Sequence, residues 1–96
     1  MASVVNLVLT AKPEEFEDLV AYMAEILPDT AKYEGAQVIT CYSDPATHML
    51  TVHEIWDSKA HQQAYFQWRA ETGVVDRIVG MVAGPPAFEE YTHVAF

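Results

Sequence analysis

Apolar residues near the start of the chain follow the pattern of a β-strand. The segment 3–10 is rich in β-branched residues and almost continuously apolar, which is typical of a strand. Successive side chains of a strand point to opposite sides, so Val5, Leu7 and Leu9 share one face and Asn6 lies on the other.

The next segment has helical spacing. Pro13 suits the first turn of a helix, and apolar residues from Phe16 to Leu27 recur every three or four positions in one stripe. Pro28 is predicted to end or bend this helix, and Gly35 to close a short further turn.

The rest of the chain predicts two more strands, a second helical region and a last strand. Segments 36–43 and 48–56 form a hairpin around the turn at 44–47. Ser58 is a candidate N-cap for a helix that runs to about Glu71, and 74–82 is a second apolar helical piece. Segment 87–95 is the last strand. The order is β-α-β-β-α-β, which predicts an α+β, ferredoxin-like subunit with its helices on one face of an antiparallel sheet.

The other face of this sheet needs a cover. Of the 96 residues, 51% are hydrophobic, and a domain this small has little interior in which to bury them. A second copy of the sheet is the simplest cover, so we expect a homodimer. The face predicted to be buried in the dimer carries Val5, Leu7, Leu9, Thr51 and Ile55.

Charge and cysteine content narrow the possible partners and location. A formal net charge of −9, from 14 acids and 5 bases, argues against nucleic acid and against anionic membranes as partners. No apolar run approaches the roughly 20 residues of a membrane helix, and no signal peptide is visible. The single cysteine, Cys41, has no partner for an internal disulfide. We therefore expect a cytoplasmic protein.

Candidate chemistry comes from polar residues on apolar faces, because no phosphate, metal or redox motif is present. Asn6 is predicted on the helix-facing side of its strand, either in a site or in a local hydrogen bond near an open edge. Glu54 lies between Val52 and Trp56 on one strand face. It is either a buried acid with a raised pKa or one half of a structural pair.

The second helical region adds an aromatic face. His61, Tyr65 and Trp68 are spaced by four and three residues and predict a pocket with planar walls that suits a flat aromatic ligand. Arg69 either reaches the rim of this pocket or forms a surface salt bridge. Trp56 is either a wall of the pocket or a core anchor.

The segment from Glu54 to Arg69, the turn from Thr30 to Gly35 and the run Gly84-Pro85-Pro86 carry a family resemblance. Together with the order of elements, they resemble the antibiotic biosynthesis monooxygenase (ABM) domain family. The resemblance covers nearly the whole chain and implies a subunit whose sheets pair into a dimeric α+β barrel. Known members include quinone-forming monooxygenases that need no metal or flavin, and haem-degrading monooxygenases.

The family's functional residues transfer only in part. The resemblance implies a pocket role for Trp56, and Asn6 matches the first-strand asparagine of the haem-degrading class. Phe66 stands where that class has its axial histidine. Val52 replaces an asparagine of the quinone-forming class, and His61 lies near the position of its helix tyrosine. The arginine typical after Thr30 is replaced by Ala31.

The resulting hypothesis is an enzyme that oxidises a phenol or hydroquinone-type aromatic to a quinone with O2 and no cofactor. His61 is the candidate base, and Asn6 or Tyr65 would stabilise the developing oxyanion. The substrate would lie against Trp56, Trp68, Glu54 and Arg69. Two alternatives remain open: a non-catalytic binding or accessory protein for a small aromatic or polyketide-like molecule, and a non-oxidative isomerase or cyclase on the same fold.

Overall fold

Four strands form one antiparallel sheet in the computed structural model, which describes residues 1–96. The strands are β1 (Ser3–Thr10), β2 (Ala36–Asp44), β3 (Met49–Trp56) and β4 (Ala87–Thr92), in the sheet order β2-β3-β1-β4. The helices are α1 (Phe16–Ala31), which follows a 3-10 turn at Pro13–Glu15, then α2 (Lys59–Glu71) and α3 (Val74–Val79). The predicted α+β, ferredoxin-like order is confirmed, including the division of the second helical region into two pieces.

The core lies between the helices and one face of the sheet. Leu9 of β1 is fully buried and pairs with Leu50 of β3, while Leu7 pairs with Val52. These residues pack against Leu19 of α1 and other apolar side chains of the helical layer. Paired residues of adjacent strands share a face. The helix-facing side therefore carries Val5, Leu7, Leu9, Leu50, Val52, Glu54 and Trp56.

The set of residues predicted to face a second sheet is therefore wrong. Val5, Leu7 and Leu9 are covered by the chain's own helices, whereas Thr51 and Ile55 lie on the opposite, outer face. Alternation correctly separated the two faces of β1. It did not show which face the helices cover, because both faces carry β-branched residues.

Asn6 also lies on the outer face, contrary to the prediction. It pairs with His53 of β3 and with Glu89 of β4. The Asn6 Oδ1 atom is 2.7 Å from Nδ1 of His53, so the amide has a hydrogen-bond partner on that face. Asn6 therefore lies on the other side of the sheet from the helical layer.

Helix α1 continues through Pro28 for one more turn, so the first of the two predicted alternatives, an end of the helix at this proline, is wrong. Thr30 in this last turn is fully buried, and the Ile26 carbonyl oxygen accepts a hydrogen bond from Arg69 of α2. Tertiary contacts thus hold the turn despite the backbone donor that Pro28 lacks.

Local signals fix the start and end of α2. The Ser58 side chain accepts a hydrogen bond from the backbone N–H of His61 at 3.2 Å, as an N-cap does. Gly73, with φ of 84°, separates α2 from α3. Helix α3 ends at Val79 rather than at residue 82, because the chain turns back at Gly80 and Val82 bridges to Ala11. None of the helices combines the length and apolar character needed to cross a membrane.

Candidate functional site

A narrow cavity of about 50 Å³ lies between the sheet and all three helices. Twelve of its 15 lining residues are hydrophobic, among them Leu7, Phe66 and Phe88. The three polar lining residues are Glu54, Gln62 and Arg69. An apolar cavity with a few convergent polar groups is the usual form of a small-molecule site.

Glu54 brings a carboxyl group to the apolar cavity wall. Its backbone lies in β3, an inner strand of the sheet, and the residue is 8% exposed. The Trp56 Nε1 atom donates a hydrogen bond of 2.9 Å to Glu54 Oε1. Burial raises the pKa of Glu54, and the hydrogen bond from Trp56 opposes that rise only in part. Such a carboxylate is a stronger proton acceptor than one in water.

Arg69 is buried without a carboxylate partner. Its Nε donates to the Tyr65 hydroxyl at 2.8 Å, and one terminal nitrogen donates to the Ile26 carbonyl oxygen at 2.8 Å and to Thr30 Oγ1 at 3.1 Å. The guanidinium also lies 4.4 Å from the ring centre of Trp68. The cavity wall therefore carries a positive charge that neutral acceptors and an aromatic ring solvate.

The hydroxyl group of Tyr65 is fully engaged. It accepts from Arg69 and is also hydrogen-bonded to the Thr30 hydroxyl. Burial is the main cause that raises the pKa of Tyr65, and nearby Glu54 adds to it, while the contacts with Thr30 and Arg69 lower it. Tyr65 thus borders the cavity with its hydroxyl committed to α1 and Arg69.

Gln62 leaves an acceptor unused. The residue is 7% exposed, yet its Oε1 has no hydrogen-bond partner. A buried amide oxygen without a donor is unfavourable by about 1–3 kcal/mol. A ligand hydroxyl would satisfy this oxygen.

Four aromatic rings form a cluster behind the cavity. Trp56 is fully buried and stacks on Tyr65 at a centroid distance of 5.0 Å. Tyr33 meets both Tyr65 and Trp68 at 5.2 Å. Neither tryptophan lines the cavity. Trp56 contacts Tyr65, and Trp68 contacts Arg69. Trp56 is the core anchor of the two alternatives.

This fold occurs in known proteins. A crystal structure of an antibiotic biosynthesis monooxygenase superimposes with a TM-score of 0.84 at 16% identity, covering 99% of this chain and 100% of that one. A proposed antibiotic biosynthesis monooxygenase of Deinococcus radiodurans gives a TM-score of 0.86 at 15% identity, covering 98% and 94%. A conserved protein of Methanosarcina mazei Go1 gives 0.84 at 16%, covering 95% and 91%.

The chain has the ABM fold. The resemblance carried by the segment from Glu54 to Arg69 is thus confirmed at the level of the fold. No protein-family model and no curated protein sequence matches the chain.

Within this ABM fold, His61 lies outside the cavity. Its Nδ1 is 2.7 Å from the Ser58 hydroxyl, and its side chain packs against the backbone of Gly35. A Cβ atom on Gly35 would lie only 2.5 Å from ring carbons of His61. His61 therefore joins the start of α2 to the turn before β2. It does not line the cavity, contrary to the sequence-based prediction.

The buried face of α2 is rotated from the predicted one. It carries Gln62, Tyr65 and Arg69 rather than His61, Tyr65 and Trp68. Of the predicted site residues, the structure brings Glu54, Tyr65 and Arg69 to the cavity wall. Trp56 and Trp68 contact these residues without lining the cavity, and Asn6 and His61 lie elsewhere. Gln62 was not predicted from the sequence as a site residue. Gln62 precedes Tyr65 by three positions, and Arg69 follows Tyr65 by four, which is the spacing of one helix face. No three His, Cys, Asp or Glu side chains are grouped closely enough to hold a metal ion.

Proposed function

We propose that this protein is a cofactor-independent monooxygenase that oxidises a phenol or hydroquinone-type aromatic to a quinone with O2 at the cavity between sheet and helices. The likeness of the fold to antibiotic biosynthesis monooxygenases supports the reaction class. The observation that carries the proposal is Glu54, a buried carboxyl group of raised pKa at the wall of an apolar cavity.

Glu54 replaces His61 as the base of choice, because it borders the cavity and His61 does not. The Glu54 carboxylate accepts the phenolic proton, and a phenolate transfers an electron to O2 far more readily than a neutral phenol. The positive charge of Arg69 at the same cavity favours the phenolate. Gln62 Oε1, which has no partner in the protein, accepts a hydrogen bond from a second hydroxyl group of the substrate.

The oxygen chemistry balances without a further reductant. One electron passes from the phenolate to O2, and the phenoxyl radical and superoxide then combine at a ring carbon that carries hydrogen, forming a carbon–oxygen bond. The proton held by Glu54 neutralises the peroxide. Loss of the ring-carbon proton breaks the oxygen–oxygen bond, leaves a carbonyl on the ring and releases water. One phenol and one O2 thus give one quinone and one water.

Oxygen uptake with a panel of phenols and hydroquinones tests this proposal. We expect one O2 consumed per quinone formed, and a loss of about 10²–10⁴-fold in turnover for Glu54→Gln, the range for removal of a general base. Glu89→Gln is the matched control, because Glu89 is a strand glutamate on the outer face. Activity that survives in Glu54→Gln and falls in His61→Ala would return the base to His61.

A non-oxidative isomerase or cyclase is the second candidate, because a buried carboxylate such as Glu54 can also move a proton within a bound substrate. Turnover under strict anaerobiosis would favour it over the monooxygenase. Tight binding of aromatics without turnover in either atmosphere would favour a binding or accessory protein that uses the same cavity.

We also propose that the chain forms a homodimer through the outer sheet face. A row of apolar side chains crosses all four strands there, formed by Val38, Ile55, Val4 and Tyr91. Val38 and Tyr91 are 38% and 57% exposed in the single chain. A stable dimer should bury more than about 1,000 Å² in total.

A further inference from the structure

The cavity adjoins a second, outer groove across a pair of phenylalanines. The outer groove, of about 230 Å³, is lined by Gln62, Gln63, Phe66, Phe88 and Glu90. Gln62, Phe66 and Phe88 border the cavity as well. Phe66 of α2 and Phe88 of β4 meet edge to face, with ring centres 5.5 Å apart and an interplanar angle of 82°. Together with Gln62, these two rings line both the cavity and the outer groove.

The inner cavity is too small for the ligand that its walls suit. An apolar cavity of about 150 Å³ is known to hold a single benzene ring, and the inner cavity has about 50 Å³. Together the cavity and the outer groove approach the lower end of ligand sites, about 300 Å³. Phe66 and Phe88 are 40% and 45% exposed, so each ring has open solvent on one side into which it can turn.

Building on the proposed function, we infer that cavity and outer groove are one elongated site, and that Phe66 and Phe88 form a gate that parts when an aromatic ligand of at least two fused rings binds. The hydroxyl-bearing ring lies inside, where Glu54 and the unpartnered Gln62 Oε1 accept hydrogen bonds. The second ring lies between the two phenylalanines, whose edge-to-face contact it replaces.

The charge at the outer end sets a further requirement. Gln63 and Glu90 lie in the outer groove, and the carboxylate of Glu90 is 3.5 Å from Lys59 Nζ. Lys59 does not line the groove, whereas Glu90 does, so a carboxylate on the outer ring of the ligand would face Glu90. A hydroxyl group at that position would instead donate a hydrogen bond to Glu90. The site therefore selects a fused-ring phenol whose outer end carries a neutral hydrogen-bond donor.

Stopped-flow tryptophan fluorescence with phenol and 2-naphthol tests the gate. We expect Phe66→Ala and Phe88→Ala each to speed 2-naphthol association by about tenfold or more, because binding no longer waits for a ring to move. Phenol association should also become faster but by less, because the small inner cavity needs a shorter opening of the pair for one ring than for two. Phe16→Ala is the control, since Phe16 makes a similar edge contact with His48 at 5.5 Å and lines neither the cavity nor the outer groove. Phe66→Leu and Phe88→Leu provide a smaller truncation if an alanine variant fails to fold.

Equilibrium binding tests the outer end. Wild-type protein should bind 2,6-dihydroxynaphthalene at least about tenfold more tightly than 6-hydroxy-2-naphthoate, and Glu90→Gln should narrow that gap. Glu89→Gln, on the opposite face of the same strand, should leave it unchanged. Three results would each overturn the inference. They are failure to bind 2-naphthol and 2,6-dihydroxynaphthalene, equal affinity for 2,6-dihydroxynaphthalene and 6-hydroxy-2-naphthoate, and unchanged association rates in both phenylalanine variants. Intact binding behaviour without oxygen uptake would refute the proposed reaction and leave the gated site standing.

Discussion

Replacing Arg69 by methionine is the sharpest test of how the site is held together. Arg69 makes three hydrogen bonds to Tyr65, Thr30 and Ile26 and packs on Trp68. Hydrogen bonds of a charged group contribute about 1.5–3 kcal/mol each, and the contact with a ring adds about 0.5–2 kcal/mol. Against these stands a desolvation cost of several kcal/mol for a buried ion. The difference predicts that Arg69→Met lowers the free energy of unfolding by about 2–4 kcal/mol.

Urea unfolding followed by tryptophan fluorescence measures this loss. With a slope near 1 kcal/mol per molar urea for a domain of this size, the midpoint should fall by about 2–4 M. Arg69→Lys should lose nearly as much, because an ammonium cannot span three acceptors as the planar guanidinium does. Arg77→Met is the control: Arg77 lies 4.2 Å from the Tyr22 ring but is exposed, so its loss should stay below about 1 kcal/mol. A loss for Arg69→Met no larger than that of Arg77→Met would refute the reasoning.

Three further predictions concern other parts of the fold. The raised pKa of Glu54 means that its ionised form is unfavourable in the folded state. The stability of the wild-type protein should therefore fall as pH rises from the ordinary carboxyl range through the folded pKa. The melting temperature of Glu54→Gln should exceed that of wild type at neutral pH, and the difference should disappear in acid. Gly35→Ala should lower the melting temperature through its positive φ of 89° and its contact with His61, and the double variant with His61→Ala should recover part of the loss; simple additivity in this cycle would show that the contact carries no energy. Sedimentation should give a dimer at micromolar concentration, and Tyr91→Lys on the outer face should shift it to monomer; a wild-type monomer would exclude the proposed interface.

Sequence patterns predicted the elements of the fold well because their signals are local. The Ser58 cap, the glycine at 73 and the turn before β3 each fix a boundary through the conformation of a few neighbouring residues. The end of α1 was predicted incorrectly because the turn around Pro28 is held by Arg69, a residue 41 positions away in the chain, through Ile26 and Thr30. Long-range partners of this kind leave no local pattern.

The site was predicted only in part, and the reason is visible on α2. Tryptophan is more apolar than arginine, so the pattern placed Trp68 inside and Arg69 either at the rim of the pocket or in a surface salt bridge. The helix turns Arg69 inward because the end of α1 supplies a carbonyl and a hydroxyl for its donors. The same limitation applied to β1. Alternation correctly separated Asn6 from Val5 and Leu7, but it carried no information about which face the helices would cover.

The hydrogen bond from Trp56 to Glu54 makes Trp56 an intrinsic fluorescent probe of the ionisation of Glu54. The indole of Trp56 is shielded from water and donates a hydrogen bond to Glu54. The fluorescence emission of Trp56 should therefore respond to whether Glu54 is a carboxylate or a carboxylic acid. Since the chain has only two tryptophans, Trp68→Phe leaves Trp56 as the single reporter. Its emission, followed against pH in the resting protein, should trace the ionisation of Glu54 directly, so the proposed base can be titrated before any substrate is identified.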